Sequence, residues 1–317
     1  MQHLVNSVVI TLLLVFSGCS QSSSTYQIPN GPVKEGVVKI KNGRLYYQIV
    51  GQDDPIIVIH GGPGFDQGYL LPGMALLAKN HQVIFYDQCG SGLSTVSVID
   101  DQHINDEQFV EDLETLRKAL GYPKITLVGH STGGMLAMRY AIKYGSNVKK
   151  MVLMNTLPAT TSGIHDFVEE VEQKIAPSAA AIETLQKSQA FLDNDQQTIA
   201  KFYSLFFQYY FHNPADLEKL NMQLEPQGIA TGMQVARILE NSILTKFVDL
   251  THDLKKLKIP TLIIHGESDV IPLHTAEEIA ASIKDSRLVV LKQCGHFPYI
   301  EKPQEWLKVV EEFLRKN

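Results

Sequence analysis

The chain has 317 residues, of which 44% are hydrophobic, and a formal net charge of −6 at pH 7. This length and apolar content suffice for a large core, whereas the acidic balance gives no electrostatic support for a nucleic-acid partner. Three cysteines are too few for a disulfide scaffold. The histidines show no metal-ligand spacing and the glycines form no nucleotide-binding fingerprint, so neither a metal nor a cofactor is expected.

The N-terminal segment predicts export and a lipid anchor. Residues 8–16 form an apolar run that is too short to span a bilayer and is typical of a signal-peptide core. Small residues precede Cys19, as in bacterial lipoproteins, so we expect residues 1–18 to be cleaved and Cys19 to be lipidated. An ordinary secretory signal and an uncleaved anchor are the alternatives. The polar residues 19–34 would then tether the domain to the periplasmic or cell-surface side of a membrane.

Residues 35–157 predict the first part of a catalytic core. Asn42 and Gly43 separate two alternating apolar segments, which indicates a β-hairpin. Strands then alternate with helices, and this alternation predicts an α/β fold with a mostly parallel central sheet flanked by helices. The expected strands lie near 56–60, 82–86, 124–129 and 150–155, and the expected helices near 68–79, 107–120 and 132–144.

A sharp turn from strand to helix is predicted around Ser131, the central residue of a GHSTG motif. Small residues on both sides allow this turn, and the serine hydroxyl then emerges where the amino end of a helix favours negative charge. An HGGPG motif at residues 60–64 follows an earlier apolar strand, and its glycines allow an N–H group to face a substrate oxyanion. We expect the N–H groups of Gly62 and Thr132 to form an oxyanion hole. The alternative for residues 60–64 is a plain turn.

The pattern changes at residues 158–250, where helical periodicity replaces the strand signals. This segment predicts a helical cap inserted into the core. Seven of the ten residues from 202 to 211 are aromatic. We expect most of these rings to pack within the cap and against the core, and one or two to reach a pocket above Ser131.

Residues 251–317 return to strands and helices and complete the core. Asp269 and His296 each follow a predicted strand. A serine nucleophile needs a base, and the base needs an orienting carboxylate. The chain order Ser131, Asp269, His296 is that of α/β-hydrolases. The sequence therefore predicts Ser131 as the nucleophile, His296 as general base and then acid, and Asp269 as the group that fixes the imidazole tautomer.

Three motifs together resemble the proline iminopeptidase branch of the α/β-hydrolases: HGGPG at residues 60–64, FYDQCGSGLS at 85–94 and GHSTGG at 129–134. The resemblance implies an acyl-enzyme mechanism without a cofactor. It also implies release of an N-terminal proline, or another small N-terminal residue, from short peptides.

The chain departs from this family where the family's peptidases bind the substrate amine. Those enzymes use acidic residues in the cap and, in some members, one directly after the triad aspartate. This chain has Thr231 and Val270 at about these places, and Cys89 where an arginine is usual. Glu225 and Glu240 are the candidates for the missing counter-charge. Two other functions therefore stay open: a carboxylesterase or amidase of small neutral substrates, and a surface lipoprotein that binds without catalysing.

Overall fold

The computed structural model describes residues 34–71, 73–221 and 226–315. The predicted signal peptide and Cys19 lie outside these residues, and so does the predicted tether apart from Lys34, which begins the first strand. Within the described part of the chain, no helix is both long enough and apolar enough to cross a membrane.

One nine-stranded sheet forms the centre of the molecule, in the order β1-β2-β4-β3-β6-β7-β8-β9, with β5 paired to β2. Strands β1 and β2 are antiparallel neighbours at one edge, and the strands from β4 to β9 on the main path pair in parallel. The mostly parallel α/β sheet predicted from the sequence is thus confirmed. The strands are β1 (Lys34–Ile40), β2 (Gly43–Val50), β3 (Pro55–Ile59), β4 (Gln82–Tyr86), β5 (Thr95–Val96), β6 (Ile125–His130), β7 (Val148–Met154), β8 (Thr261–Gly266) and β9 (Ser286–Leu291).

Helices cover the sheet and build a separate layer above it. Six of the described helices, α3 to α8, lie between β7 and β8 in the chain. The helices are α1 (Asp106–Ala119), α2 (Thr132–Tyr144), α3 (Thr161–Ile175), α4 (Ala179–Gln186), α5 (Gln189–Leu192), α6 (Gln196–Phe207), α7 (Pro226–Lys246), α8 (Thr251–Leu254), α9 (Leu273–Ser282), α10 (Pro298–Glu301) and α11 (Pro303–Arg315).

The prediction of one helix near residues 68–79 is wrong. Two short 3-10 helices, Gln67–Leu70 and Gly73–Lys79, stand in its place. Pro72 has no N–H to donate and Gly73 is a poor helix former, so a continuous α-helix cannot run through this point. Tyr69 therefore lies in the first of these two short helices.

The central strands are buried on both faces, which explains their uninterrupted apolar sequence. Every residue of β6 and of β8 is buried, whereas most residues of the edge strand β1 are exposed or half-buried. This rigid core fixes the carboxyl ends of the parallel strands at one edge of the sheet. The loops that follow β3, β6, β7, β8 and β9 therefore meet there.

Helix α7 crosses the loops of this edge at very close range. A Cβ atom added to Gly232 would collide with the Gly64 carbonyl oxygen, and one added to Gly64 would collide with Gly232. Farther along the same interface, a Cβ on Gly228 would lie 2.5 Å from the Gly92 carbonyl oxygen. Glycine pairs thus allow the backbone of α7 to rest directly on the HGGPG loop, which closes the site from above.

Candidate active site

Ser131 occupies a strained turn between β6 and α2. Its φ and ψ angles are 56° and −124°, a region that non-glycine residues rarely adopt. The turn fits because its neighbours lack side chains: a Cβ on Gly129 would lie 2.5 Å from the Gly133 carbonyl oxygen, and one on Gly133 would collide with the Ile59 carbonyl oxygen. The serine is partly accessible, although every residue of β6 and residues 133–138 of α2 are buried. This is the geometry of a nucleophile elbow.

The HGGPG loop runs directly against this turn. A Cβ on Gly61 would lie 2.6 Å from the Ser131 Cβ atom, and Gly62 has a φ of 60°. Within the described chain, no protein acceptor takes the N–H of Gly62 or that of Thr132, the first residue of α2. Both predicted oxyanion donors therefore lie beside Ser131 with their N–H groups available to a ligand.

Asp269 and His296 form a buried pair. The His296 Nδ1 atom lies 2.9 Å from Asp269 Oδ1, and both side chains are almost fully enclosed. Because the carboxylate accepts, Nδ1 carries the proton and Nε2 faces away from Asp269. Burial by itself raises the pKa of Asp269, but the charge and hydrogen bond of His296, with His265 and Asn155, lower it to about 2. The carboxylate thus stays ionised and stabilises a protonated imidazole.

Asn155 is a supporting residue that the sequence analysis missed. It follows β7 with a φ of 45° and is fully buried. Its Nδ2 donates to Asp269 Oδ2 at 2.7 Å and to the Gly295 carbonyl oxygen at 3.0 Å. The amide therefore holds the second carboxylate oxygen and the loop of His296 at once. A polar residue directly after a buried parallel strand was the available signal.

Ser131 and His296, the third pair of the predicted triad, are linked through His130, the neighbour of Ser131. His130, which precedes Ser131, donates from Nε2 to the His296 carbonyl oxygen at 2.8 Å, and the two rings lie 4.7 Å apart. No hydrogen bond joins Ser131 Oγ to His296 Nε2 within the described residues, and such bonds commonly tighten only when substrate binds. The structure brings the three residues to one site, and the direct serine–histidine bond stays a prediction.

Glu301 is a second residue that the sequence analysis missed. Its Oε2 accepts the N–H of Gly295 at 2.9 Å and that of His212 at 2.8 Å, while Oε1 accepts the N–H of Phe297 at 3.1 Å. Burial raises the pKa of Glu301, and these donors oppose the rise. The residues on both sides of His296 are thereby tied to the segment after α6. No sequence motif marks this role.

Aromatic rings of the cap form the roof of the site. Tyr210 stands edge-on to His296 at 5.2 Å, and its carbonyl oxygen accepts the His296 N–H at 2.7 Å. The ring centroids of Phe207 and Phe297 lie 6.0 Å apart. Other rings of the cluster, such as Phe202, belong to a separate apolar group within the cap. Tyr210 therefore packs against the His296 ring, and the expectation that one or two rings reach a pocket above Ser131 stays a prediction.

Glu240 on α7 places a carboxylate near this roof. It is partly accessible, and no hydrogen bond or ion pair engages it within the described residues. Burial raises the pKa of Glu240 to about 7. Burial first, and then the charge of Glu240, raises the pKa of Tyr203, whereas burial, then Asp269 and then Glu240 raise the pKa of Tyr210.

Thr231 and Val270, the described positions where the family's peptidases place acids, do not provide a counter-charge. The Thr231 hydroxyl donates to the Gly228 carbonyl oxygen of its own helix at 3.2 Å, and Val270 is fully buried. Glu225 lies outside the described residues. Cys89 is buried, with its Sγ atom 3.7 Å from the Asn42 carbonyl oxygen. In the described ranges, no group of three or more His, Cys, Asp or Glu side chains is arranged to hold a metal ion.

Comparison with known proteins agrees with this architecture. A family model described as the alpha/beta hydrolase fold matches residues 54–303. The proline iminopeptidase of Saccharolobus solfataricus is 30% identical over 294 residues, which cover 89% of this chain and 92% of that protein. The proline iminopeptidase of Heyndrickxia coagulans is 30% identical over 291 residues, covering 88% and 98% respectively.

A solved structure gives the same result for the fold. The proline iminopeptidase-related protein from Thermus thermophilus has a TM-score of 0.67 at 22% identity, with 89% of this chain and 97% of that chain covered. The sequence motifs, the sheet order and the length of the matched segment all agree. The chain therefore belongs to the α/β-hydrolase superfamily, in its proline iminopeptidase branch.

Proposed function

We propose that this hydrolase acts through a serine acyl-enzyme and releases the N-terminal residue of short peptides, with proline as the first choice. The observation that carries the serine mechanism is the convergence of three groups at one edge of the sheet. Ser131 sits on its elbow, the Asp269–His296 pair is buried 2.9 Å apart, and the HGGPG loop lies against the serine.

In the proposed reaction, Ser131 Oγ attacks the substrate carbonyl carbon while His296 Nε2 takes the hydroxyl proton. The carbonyl oxygen becomes an oxyanion, which the N–H groups of Gly62 and Thr132 bind. His296 then gives its proton to the leaving amine, and the acyl group remains on Ser131. Water attacks this ester with His296 again as base, and the free acid leaves. Asp269 stabilises the imidazolium in both halves.

The preference for an amine-bearing substrate is supported by Glu240. A substrate ammonium enclosed under a cap needs a counter-charge, because an unpaired buried charge is costly. Glu240 offers a carboxylate on α7, the cap helix that crosses the loops of the site, and no hydrogen bond or ion pair engages it in the described chain. A bound ammonium would lower the pKa of Glu240 and stabilise its ionised form.

A neutral ester or amide is the second candidate substrate. It is favoured by Thr231 and Val270, which provide no charge where the family's peptidases place acids. A comparison of one prolyl arylamide with its N-acetylated form separates the two possibilities. A preference for the free amine supports the peptidase, and equal rates or a preference for the blocked form support the esterase or amidase.

Ser131→Ala tests the serine mechanism directly. We expect this variant to lose turnover of proline p-nitroanilide and of p-nitrophenyl acetate by at least about 1,000-fold, because the alanine methyl group cannot attack the substrate carbonyl carbon. The circular dichroism spectrum should stay unchanged. A fluorophosphonate probe should label the wild type at Ser131 and leave the variant unlabelled. A folded wild type that resists the probe would instead support the non-catalytic binding protein.

We also propose that the chain is exported and anchored by a lipid on Cys19, with the domain on the periplasmic or cell-surface side. The support is the apolar run at residues 8–16 followed by small residues before the cysteine. In cells fed radiolabelled palmitate, the full chain should take up label and Cys19→Ala should not. Equal labelling of both would contradict the anchor.

A further inference from the structure

A chain of buried hydrogen bonds links the HGGPG loop to the loop of His296. It starts at the Gly61 N–H, which lies 2.7 Å from the Tyr69 hydroxyl. That hydroxyl lies 2.8 Å from His130 Nδ1, and His130 Nε2 lies 2.8 Å from the His296 carbonyl oxygen. Tyr69 and His130 are both buried, and none of these polar atoms lacks a partner. We call Tyr69 and His130 the relay pair.

Only one arrangement of protons satisfies every bond in this chain. A carbonyl oxygen can only accept, so His130 Nε2 must carry a proton toward His296. Burial, followed by the charge of His296, lowers the pKa of His130 to about 3, so the ring is neutral and its Nδ1 is an acceptor. The Tyr69 hydroxyl therefore donates to Nδ1 and accepts the Gly61 N–H. Every link thus has a fixed direction, which gives the chain one stable geometry.

The relay pair ends at the N–H group of Gly61, the residue before the predicted oxyanion donor Gly62. The Gly61 carbonyl oxygen accepts from His60 Nδ1 at 3.0 Å, and His60 Nε2 accepts the Gln88 N–H at 3.0 Å. Tyr69 therefore holds the N–H side of Gly61 while His60 holds its carbonyl side. In a trans peptide the next N–H points opposite to the carbonyl, so these bonds together fix where the Gly62 N–H points.

We propose that Tyr69 and His130 are positioning residues that couple the oxyanion loop to the catalytic-histidine loop. Both side chains are buried, and their hydrogen-bonding atoms are taken by protein partners. Together they fix the separation between the Gly61 N–H, one residue before the predicted oxyanion donor Gly62, and the His296 carbonyl oxygen. This inference rests on the serine mechanism proposed above, and it adds residues that act through others. Such alignment matters because oxyanion donors lose their effect when they are displaced by a fraction of a bond length.

Tyr69→Phe is the primary test, with Tyr299→Phe as the matched control. Tyr299 is also buried, packs 5.8 Å from His130, and donates its hydroxyl to the Tyr69 carbonyl oxygen at 3.1 Å, outside the relay. We expect Tyr69→Phe to lower kcat by about 10-fold to 100-fold with KM changed by less than about two-fold. Affinity for an alkylboronic acid, which mimics the tetrahedral intermediate, should fall by the same factor.

The control separates positioning from general loss of packing. Tyr299→Phe removes one buried hydroxyl as well, yet it should change kcat by less than about three-fold. Equal kcat losses in the two variants, or a Tyr69→Phe effect confined to KM, would overturn the proposal. If Ser131→Ala kept full activity, the serine mechanism itself would be wrong. Normal fluorophosphonate labelling of Tyr69→Phe at the wild-type rate would refute only the relay.

His130→Gln provides a second, independent test. In this variant, the amide nitrogen of the new side chain can still donate to the His296 carbonyl oxygen. The Tyr69 hydroxyl, however, loses Nδ1 as its acceptor. The double variant with Tyr69→Phe should be no slower than the worse single variant, because both changes break the same link. Additive losses would contradict a shared role. In the wild type, nitrogen NMR should find the His130 ring protonated at Nε2 alone, and protonation at Nδ1 alone would exclude the chain as described.

Discussion

The elbow and the cap of this hydrolase are built on opposite principles. Around Ser131, backbone is packed so tightly that three glycines cannot carry a side chain, and His130 is bonded at both ring nitrogens. In the cap, aromatic rings pack in several tilted and edge-on pairs, and Glu240 has no partner within the described residues. We infer from this contrast that close-packed strand ends fix the reacting groups, whereas side chains of the cap select the substrate.

The two regions meet at the loop of His296. Lys174 of α3 donates to the Asp269 carbonyl oxygen at 3.1 Å, and Tyr210 accepts the His296 N–H at 2.7 Å. The Glu301 carboxylate adds a third link by accepting a hydrogen bond from the His212 N–H. The cap is therefore bonded to the loops that carry Asp269 and His296, so we expect a change in the cap at these points to affect this pair as well as the pocket.

The largest effect is expected where the backbone is tightest. Gly133→Ala would drive a Cβ atom into the Ile59 carbonyl oxygen, which belongs to a buried central strand that cannot move aside. We expect kcat/KM to fall by at least about 100-fold and the thermal midpoint to drop by several degrees or more. Activity assays and thermal unfolding followed by circular dichroism measure both.

Gly145→Ala is the matched control for that change. It lies at the other end of α2, where a new Cβ would meet only Ile259 Cδ1 at 3.5 Å, an ordinary contact. Its φ of −55° suits alanine. The control should keep full activity and stability. If Gly133→Ala behaved like Gly145→Ala, the view of the elbow as a close-packed backbone crossing would be wrong.

A smaller and more selective effect is expected in the cap. Glu240→Gln should lower kcat/KM for proline p-nitroanilide by about 10-fold to 100-fold and leave p-nitrophenyl acetate within about two-fold. Because the pKa of Glu240 is raised to about 7, the wild-type peptidase rate should rise with pH through this ionisation. That rise should be missing from the ester profile and from the variant.

Stability offers a readout of Glu240 that is independent of activity. A carboxyl group whose pKa is raised by folding binds its proton more tightly in the native state, so stability falls as pH rises between the unfolded and folded pKa values. Between about pH 5 and pH 8, the wild type should therefore lose stability relative to Glu240→Gln. Glu218→Gln, an exposed change in the same layer, should show no such trend. If the stability of all three proteins changed with pH in the same way, burial would not raise the pKa of Glu240.

The smallest effect is expected where the two regions join. Glu301→Gln keeps the shape of the side chain but replaces one acceptor oxygen with a donor amide, so at least one of the N–H groups of Gly295, His212 and Phe297 loses its partner. We expect kcat to fall by about three-fold to ten-fold for amide and ester substrates alike. Glu305→Gln, an exposed neighbour on α11, should be silent. A substrate-dependent loss would assign Glu301 to the pocket instead.

The sheet class and the family could be predicted from the sequence, and Ser131, Asp269 and His296 could be singled out as candidates, because these predictions rest on signals that lie along the chain. Apolar strands buried on both faces, small residues at a turn and the order of strand-end residues are all legible along the chain. The hairpin around Asn42 and Gly43 was likewise predicted from neighbouring residues, and β1 pairs with β2 there. The failure at residues 68–79 was local too, since Pro72 and Gly73 already forbid a continuous helix.

Only the tertiary structure decided which residues support the site. Asn155 and His130 bond partners that lie far away in the chain: Asn155 and Asp269 are 114 residues apart, and His130 and the His296 carbonyl oxygen are 166 residues apart. A hydrogen bond depends on distance and direction in space, and no periodicity or spacing in a sequence specifies these for residues on different elements.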